Sequence, residues 1–445
     1  MPTIILMPFH WASDMNATFA LSRKLRCRGH RVVYACIPDV EARIRAQGFE
    51  YVPIFEHVFP KGSLEEQYDS EAKGKSYGLN EFKIRLRGMC ELLRDDEISR
   101  ATRDISPDLL LVSSGMPWVG IGAQRTGLPV ICFSSTLISV YDTLVPPFGT
   151  KIVPGKTPFW RLKTRFAWES MFLRRRFRGW SWDISVELKD LARHCGFPLG
   201  KIDYRVETWP RLLLPELVFC PKVFDFPRAR RPEGAFFVEA SIDTARKDTD
   251  LACGHKLDGR PVVYCSLGSV ATIKYAQRAA KFFQMVMDVI RQRPYLQAVV
   301  AVGNYLTADD FTIPENVILV NEAPQIEILK RASLMIYHGG IGGVKESIFM
   351  GVPMLLIPLF YDQAGNAARV VYHHLGERLE LGKLTNAEMG RGIDRLFEDP
   401  SYSEQVKLMS KKFVNTENRA PSVDVIESVL AGRSVDGSLF DFQMS

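Results

Sequence analysis

Short apolar, β-branched runs recur along this chain, each followed by a segment of helical size, and that alternation leaves few folds open. Thr3–Met7 reads as a strand and Pro8–Ser13 as a loop. From Asp14 or Asn16 the apolar residues Phe19, Ala20, Leu21 and Leu25 return at helical spacing. Arg23, Lys24 and Arg26 fall at the C-terminal end of that helix, where cations suit the dipole; Gly29 stops it, and Arg31–Ile37 is the next strand. The unit repeats as Asp108–Val112, a helix near Val119–Thr126, Gly127, and Pro129–Phe133. A second series opens near Pro261. Val262–Ser266, Ala298–Val302, Val317–Val320, Leu334–Tyr337 and Met354–Ile357 read as strands, and Tyr275–Gln292 as a long helix. Both series predict α/β architecture with parallel sheets and helical crossovers.

Between them, Pro221–Gly259 is rich in Pro, Arg and Asp and poor in periodicity, which is the composition of a linker. A chain of 445 residues is long enough for two or three domains. The division expected is a first domain over 1–225, a linker over 226–259, a second domain over 260–420 and a final segment over 421–445. At 46 % apolar and 24 % charged residues the composition is globular, and a net charge of +6 does not call for a nucleic-acid partner. The eight cysteines are scattered, with no C-x-x-C pair, which argues against a zinc site and a disulfide framework and fits a reducing cytoplasm. The opening apolar run Ile4–Met7 is too short for a signal-peptide core, and no stretch reaches the length needed to span a bilayer. A cytoplasmic protein is expected, with contact to a membrane surface left open.

That opening comes from Arg161–Arg178, which carries seven Lys or Arg and a single acid, Glu169, interleaved with Phe166, Trp168, Met171, Phe172, Leu173 and Phe177. Trp180 and Trp182 follow. A basic surface helix packed on its own domain explains the pattern; a peripheral membrane contact over 161–182 is the sharper alternative.

The most informative stretch runs from Ala323 to Val370. Leu334–Tyr337 is a strand, His338-Gly339-Gly340-Ile341-Gly342-Gly343 a glycine-rich turn, and a helix is expected from Val344. Glycines let a ligand approach the backbone closely, and free N–H groups at a helix start, with the dipole, suit a phosphate. His338 can add a hydrogen bond, and Glu346, placed on the first helical turn, can accept two ribose hydroxyls. Each feature alone has an ordinary structural explanation. Such turns are frequent, and an acid near a helix start is favoured by the dipole alone.

Their order is more specific. Pro324-Gln325, His338-Gly339-Gly340, Glu346, Gly351-Val352-Pro353, Pro358, Asp362-Gln363 and Asn366-Ala367 together resemble the nucleotide-sugar signature of the UDP-glycosyltransferase superfamily over about fifty residues. Weaker resemblance, including Ser266-Leu267-Gly268-Ser269, covers most of the chain. The resemblance implies the GT-B architecture, two Rossmann-like domains facing across a cleft, with the donor in the second domain. It implies that His338, Gly340, Gly342 and Gly343 bind the diphosphate, Glu346 the ribose, and Asp362 with Gln363 the sugar. Ser269 is expected to approach the diphosphate from the facing loop, and backbone near Gln325 to meet the uracil. Two positions depart from the pattern: Glu322 stands where many relatives carry an indole that stacks on the base, and Gly343 where many carry Ser or Thr. Uridine is the donor base expected, with thymidine as competitor. The final segment is expected to return to the first domain.

In relatives the loop after the first strand carries a catalytic His; laid without a gap, that position is Asp14, as in a subset of the superfamily. The acid that partners the His corresponds to Ser113. The two exchanges fit each other, because a second carboxylate beside an Asp base repels it, whereas a hydroxyl orients it. Asp14 is therefore the expected base, with Ser113 in support and His10 as the rival in the same loop. Helix capping is the structural explanation for Asp14. The reaction implied is an inverting transfer of a hexose, glucose first, from a UDP-sugar to a hydroxyl of a small hydrophobic or amphiphilic acceptor. No cofactor or metal is expected, there being no D-x-D motif. The alternatives are a nucleotide-sugar epimerase and a non-catalytic UDP-sugar-binding paralogue.

Overall fold

The computed structural model describes residues 1–72, 79–155, 159–178, 180–246, 257–268 and 276–433. Two parallel sheets organise it. The first contains β1 (Thr3–Met7), β2 (Arg31–Cys36), β3 (Glu50–Pro53), β4 (Leu109–Ser113), β5 (Val130–Ser134), β8 (Glu216–Val218) and β9 (Ala235–Phe237), in the order β3-β2-β1-β4-β5-β8-β9. A short antiparallel pair, β6 (Ile202–Asp203) and β7 (Arg211–Leu212), stands apart. The second sheet contains β10 (Val262–Ser266), β11 (Gln297–Ala301), β12 (Val317–Val320), β13 (Ala332–Tyr337), β14 (Met354–Leu356) and β15 (Gly376–Arg378), in the order β12-β11-β10-β13-β14-β15. β1 and β4 are buried at every position, as expected of strands covered on both faces.

In each sheet the winding reverses beside its first strand, between β1 and β4 and between β10 and β13. Ligands of open α/β sheets bind at the carboxyl ends of strands at such reversals. Residues 8–14 and Ser113 lie at the first reversal, and Gly268 and His338 at the second. The chain thus has the two Rossmann-like domains of the GT-B fold.

The linker expected over 226–259 is corrected in part. Ala235–Phe237 pairs with β8 as the edge of the first sheet, Glu216 opposite Ala235, so the first domain extends beyond residue 225. A three-residue strand among Pro and Arg leaves no period to read. Beyond it the chain stays fastened to the first domain: the Ser241 hydroxyl donates to the Ala17 carbonyl, and Asp243 accepts from Arg23. The helix Pro421–Leu430 also packs there, burying Val423, Val425 and Ile426 with Ile4, Leu25 and Val32.

The domains share a core. Phe148, Ala240 and Ile242 of the first pack with Tyr337, Ile341 and Val344 of the second. A buried ion pair reinforces it: Arg369 donates to Asp225 Oδ1 at 2.9 and 2.7 Å, its guanidinium lying 4.8 Å from the Phe148 ring and 4.4 Å from that of Phe226.

Candidate active site

Asp14 belongs to the helix Ala12–Cys27, two residues inside its start, and Trp11 occupies the cap position. The capping explanation is therefore set aside: the carboxylate turns back and accepts the Phe9 N–H at 3.1 Å on Oδ2. The same oxygen accepts the Ser113 hydroxyl at 2.6 Å, and Oδ1 accepts the Ser135 hydroxyl. A carboxylate offers about four lone-pair positions, two on each oxygen. Oδ2 is thus filled, and Oδ1 keeps one position for a hydroxyl. Burial raises the Asp14 carboxyl above the ordinary Asp range, while its three donors and the Lys345 charge pull the other way.

Ser135, one residue beyond β5, goes unnoticed in the sequence. So does Lys345, on the helix Ile341–Met350 of the second domain. Its buried Nζ donates to three first-domain carbonyls, those of Ser135 at 3.1 Å, Phe219 at 2.7 Å and Ala240 at 3.1 Å. This second-domain helix is thereby tied to the residue that holds Asp14. Burial lowers the Lys345 ammonium from its ordinary value.

His10 lies in the same loop, its ring 4.4 Å from that of Phe9. Burial, aided by the Arg85 charge, pushes its pKa down to about 4, so it is neutral at physiological pH. Trp11 and Tyr361, both exposed, bring their rings to 6.3 Å across the cleft.

On the second domain, the helix expected from Val344 begins at Ile341, with Gly340 as its cap. Gly342 and Gly343 are therefore in its first turn and Glu346 in its second, because of the turn's glycines only Gly339 adopts the left-handed backbone, φ 89°. A Cβ on Gly342 would meet only Ser13 of the first domain, at 3.9 Å, so the helix start looks directly across the cleft. His338 is enclosed by glycines: a Cβ on Gly268 would approach its ring to 2.7 Å and one on Gly340 to 2.6 Å. Its Nδ1 is buried without a partner, and burial drives its pKa down to about 3. An unpartnered neutral ring beside a helix start is suited to donating to an incoming anion.

Gly343 has a different neighbour from the one expected. The Tyr337 ring fills the space a side chain there would need, 2.5 Å from a Cβ, and its hydroxyl lies 2.8 Å from the same position. The absence of Ser or Thr at 343 is thus paired with a tyrosine at the end of β13. Glu346 is engaged too. Arg246 donates to its Oε1 at 3.0 Å and the Gln325 amide to its Oε2. Arg246, on the segment anchored to the first domain, was not legible as a site residue.

Asp362 accepts from Asn366 at 2.8 Å, and burial raises its carboxyl. Gln363 uses its carbonyl oxygen to accept from the N–H groups of Leu359 and Phe360, leaving its amide hydrogens as the donors it can offer a sugar. Glu322 is exposed and accepts from Asn304 at 2.7 Å. Ser269 lies outside the described residues. The structure therefore brings Asp14 and Ser113 together on one wall. His338, Gly340, Gly342, Gly343, Glu346, Gln325, Asp362 and Gln363 form the other.

Residues 217–416 match the family described as UDP-glucoronosyl and UDP-glucosyl transferase. The chain is 28 % identical over 441 residues to the NDP-glycosyltransferase YjiC of Bacillus licheniformis, covering 97 % of this chain and 98 % of that protein. It is 23 % identical over 435 residues to the zeaxanthin glucosyltransferase of Pantoea ananas, covering 96 % and 95 %. Among solved structures, the glycotransferase of kitacinnamycin matches with a TM-score of 0.70 at 22 % identity, over 97 % of this chain and all of the other. With two facing Rossmann-like domains, a glycine turn at one reversal and that match over residues 217–416, the chain is similar to the UDP-glycosyltransferases in its architecture and along its second domain.

Proposed function

We propose that the protein is an inverting glycosyltransferase that moves a hexose, glucose in the first instance, from a UDP-sugar to a hydroxyl of a small hydrophobic or amphiphilic acceptor. The observation that carries the reading is the placement of Asp14, held by Ser113 and Ser135, across the cleft from the start of the helix Ile341–Met350. The exposed aromatic pair Trp11 and Tyr361 at the cleft supports an acceptor with apolar surface.

The acceptor hydroxyl donates to the remaining position on Asp14 Oδ1. Its oxygen attacks the anomeric carbon from the face opposite the diphosphate, so a C–O bond to the acceptor forms as the C–O bond to the phosphate breaks. The proton passes to Asp14 and the electron pair leaves on the diphosphate. A base whose pKa is raised by burial is closer to the working pH than an ordinary carboxylate. The growing phosphate charge meets the amides of the helix start and the His338 ring, donors already in place. No metal enters this scheme, and chelator is expected to leave turnover unchanged. Glu346, shared with Arg246 and Gln325, is positioned to receive the ribose hydroxyls.

The test is incubation with UDP-α-glucose and a panel of phenolic, terpenoid and fatty hydroxyl acceptors, with proton NMR of the product. A β-glucoside supports the proposal. An α-glucoside, or donor turned over to its epimer without acceptor, overturns it.

A further inference from the structure

The basic helix Phe159–Arg178 has a face that the fold leaves unused. Its inner face is fixed: the Trp168 indole donates to the Val145 carbonyl at 2.8 Å, Thr164 is buried, and Arg175 donates to the carbonyls of Val206, Glu207 and Thr208. On the other side Phe159, Leu162, Phe166, Leu173 and Phe177 are exposed, from 56 % at Leu173 to 81 % at Phe177. At about 100° per residue these five fall within an arc of about 60° and run for about 27 Å along the axis. The exposed cations Lys163 and Arg174 flank the stripe on one side, and Arg165 and Arg176 on the other, where the exposed Glu169 also stands. The side chains of Trp180 and Trp182 lie outside the described residues.

We infer that this helix docks in the plane of an anionic lipid bilayer, with its apolar stripe in the acyl boundary and its flanking cations among the headgroups. An apolar stripe edged on both sides by Lys and Arg matches the two chemistries of that boundary, hydrocarbon below and phosphate beside it. The long stems of Arg and Lys keep their charges at headgroup level while the rings descend. Charge also disfavours a second copy as occupant, since pairing two such stripes sets Lys163, Arg165, Arg174 and Arg176 of one copy against the same four of the other, with only Glu169 to offset them. Among the described residues no helix is long and apolar enough to cross a membrane, so the contact is peripheral.

The docking carries a consequence for the site, and that part rests on the proposed transfer to an amphiphilic acceptor. Through Trp168 the helix holds the segment around Val145. A few residues on, Phe148 packs against Gly365 of the donor domain so closely that a Cβ there would lie 2.6 Å from its ring. A bilayer under this helix is thereby linked, through Trp168, Val145 and Phe148, to the interface of the two domains that enclose the site.

The experiment is cosedimentation of the full chain with vesicles of phosphatidylcholine alone and with about a third phosphatidylglycerol, at low and high salt. Wild type is expected to bind the anionic vesicles and to release in salt. Phe166→Ser/Leu173→Ser and, separately, Arg165→Glu/Arg176→Glu are expected to lose roughly 10-fold or more in binding. Both variants are expected to keep the wild-type melting temperature and UDP affinity, which separates docking from the catalytic reading. Wild type that stays in the supernatant with anionic vesicles overturns the inference, as do variants that sediment equally. So does light scattering that shows a lipid-free dimer abolished by the apolar substitutions, which would make the stripe a self-association face.

Discussion

Lys345 Nζ donates across the domain interface to the carbonyl of Ser135 at 3.1 Å, and the hydroxyl of the same Ser135 donates to Asp14. The helix Ile341–Met350, whose start faces the cleft, is thus coupled through two hydrogen bonds to Asp14, the proposed base. Lys345→Met leaves the carbonyls of Ser135, Phe219 and Ala240 without their buried donor. A cost of roughly 2–4 kcal/mol is expected in urea unfolding. Turnover should fall by more than UDP affinity does, because Asp14 loses its support while the diphosphate amides remain. Equal losses in both, or an unchanged urea midpoint, would show that the lysine is not the tie between the walls.

The Tyr337 ring occupies the space a side chain at Gly343 would need, and a double-mutant cycle measures that coupling. A Cβ at 343 would come within 2.5 Å of the Tyr337 ring, so Gly343→Ala is expected to destabilise by about 1–3 kcal/mol through overpacking. In a Tyr337→Val background the same substitution should cost less than about 0.5 kcal/mol. Additive costs would mean that the ring is not what excludes a side chain at 343.

His338 is neutral in the folded protein because burial lowers its pKa from the ordinary 6.5 to about 3. Below 6.5 the unfolded chain binds a proton that the folded one refuses, so this group lowers stability as pH falls and contributes nothing above that value. The effect reaches up to about 2 kcal/mol at pH 5. The raised carboxyls of Asp14 and Asp362 have the opposite sign, their contribution being lost as pH rises, and they remain in the variant. Between pH 7 and pH 5 the urea midpoint of wild type should therefore fall relative to that of His338→Asn. Parallel curves would contradict the buried neutral ring. The same variant should bind UDP roughly 10-fold more weakly, the loss of one hydrogen bond to a charged group.

The strand and helix alternation was legible because each element carries its own period, and most strand ends read from sequence agree with the structure to within a residue or two. β9 was hidden because three residues show no period, and the Pro and Arg around it read as linker. Asp14 and Ser113 could be paired only through a resemblance. Ser135 and Lys345 could not, because they stand 121 and 331 residues from Asp14 and meet it only through strand order and domain closure. Glu346 stands one turn further along its helix than the sequence spacing predicts, because Gly342 and Gly343 take helical conformation and, of the turn's glycines, only Gly339 has a positive φ. Its partner Arg246 lies on a stretch with no periodicity at all.

Asp14→Asn tests the central claim most directly. The amide keeps the shape and much of the bonding to Ser113, Ser135 and Phe9 but cannot take a proton. Burial disfavours the carboxylate's charge, so the variant is expected to melt no lower than wild type at pH 7. Single-turnover transfer should fall by about 100-fold or more, the scale of a lost general base, with UDP affinity unchanged. Transfer within a few-fold of wild type in that folded, UDP-binding variant would contradict the assignment of Asp14 as the base.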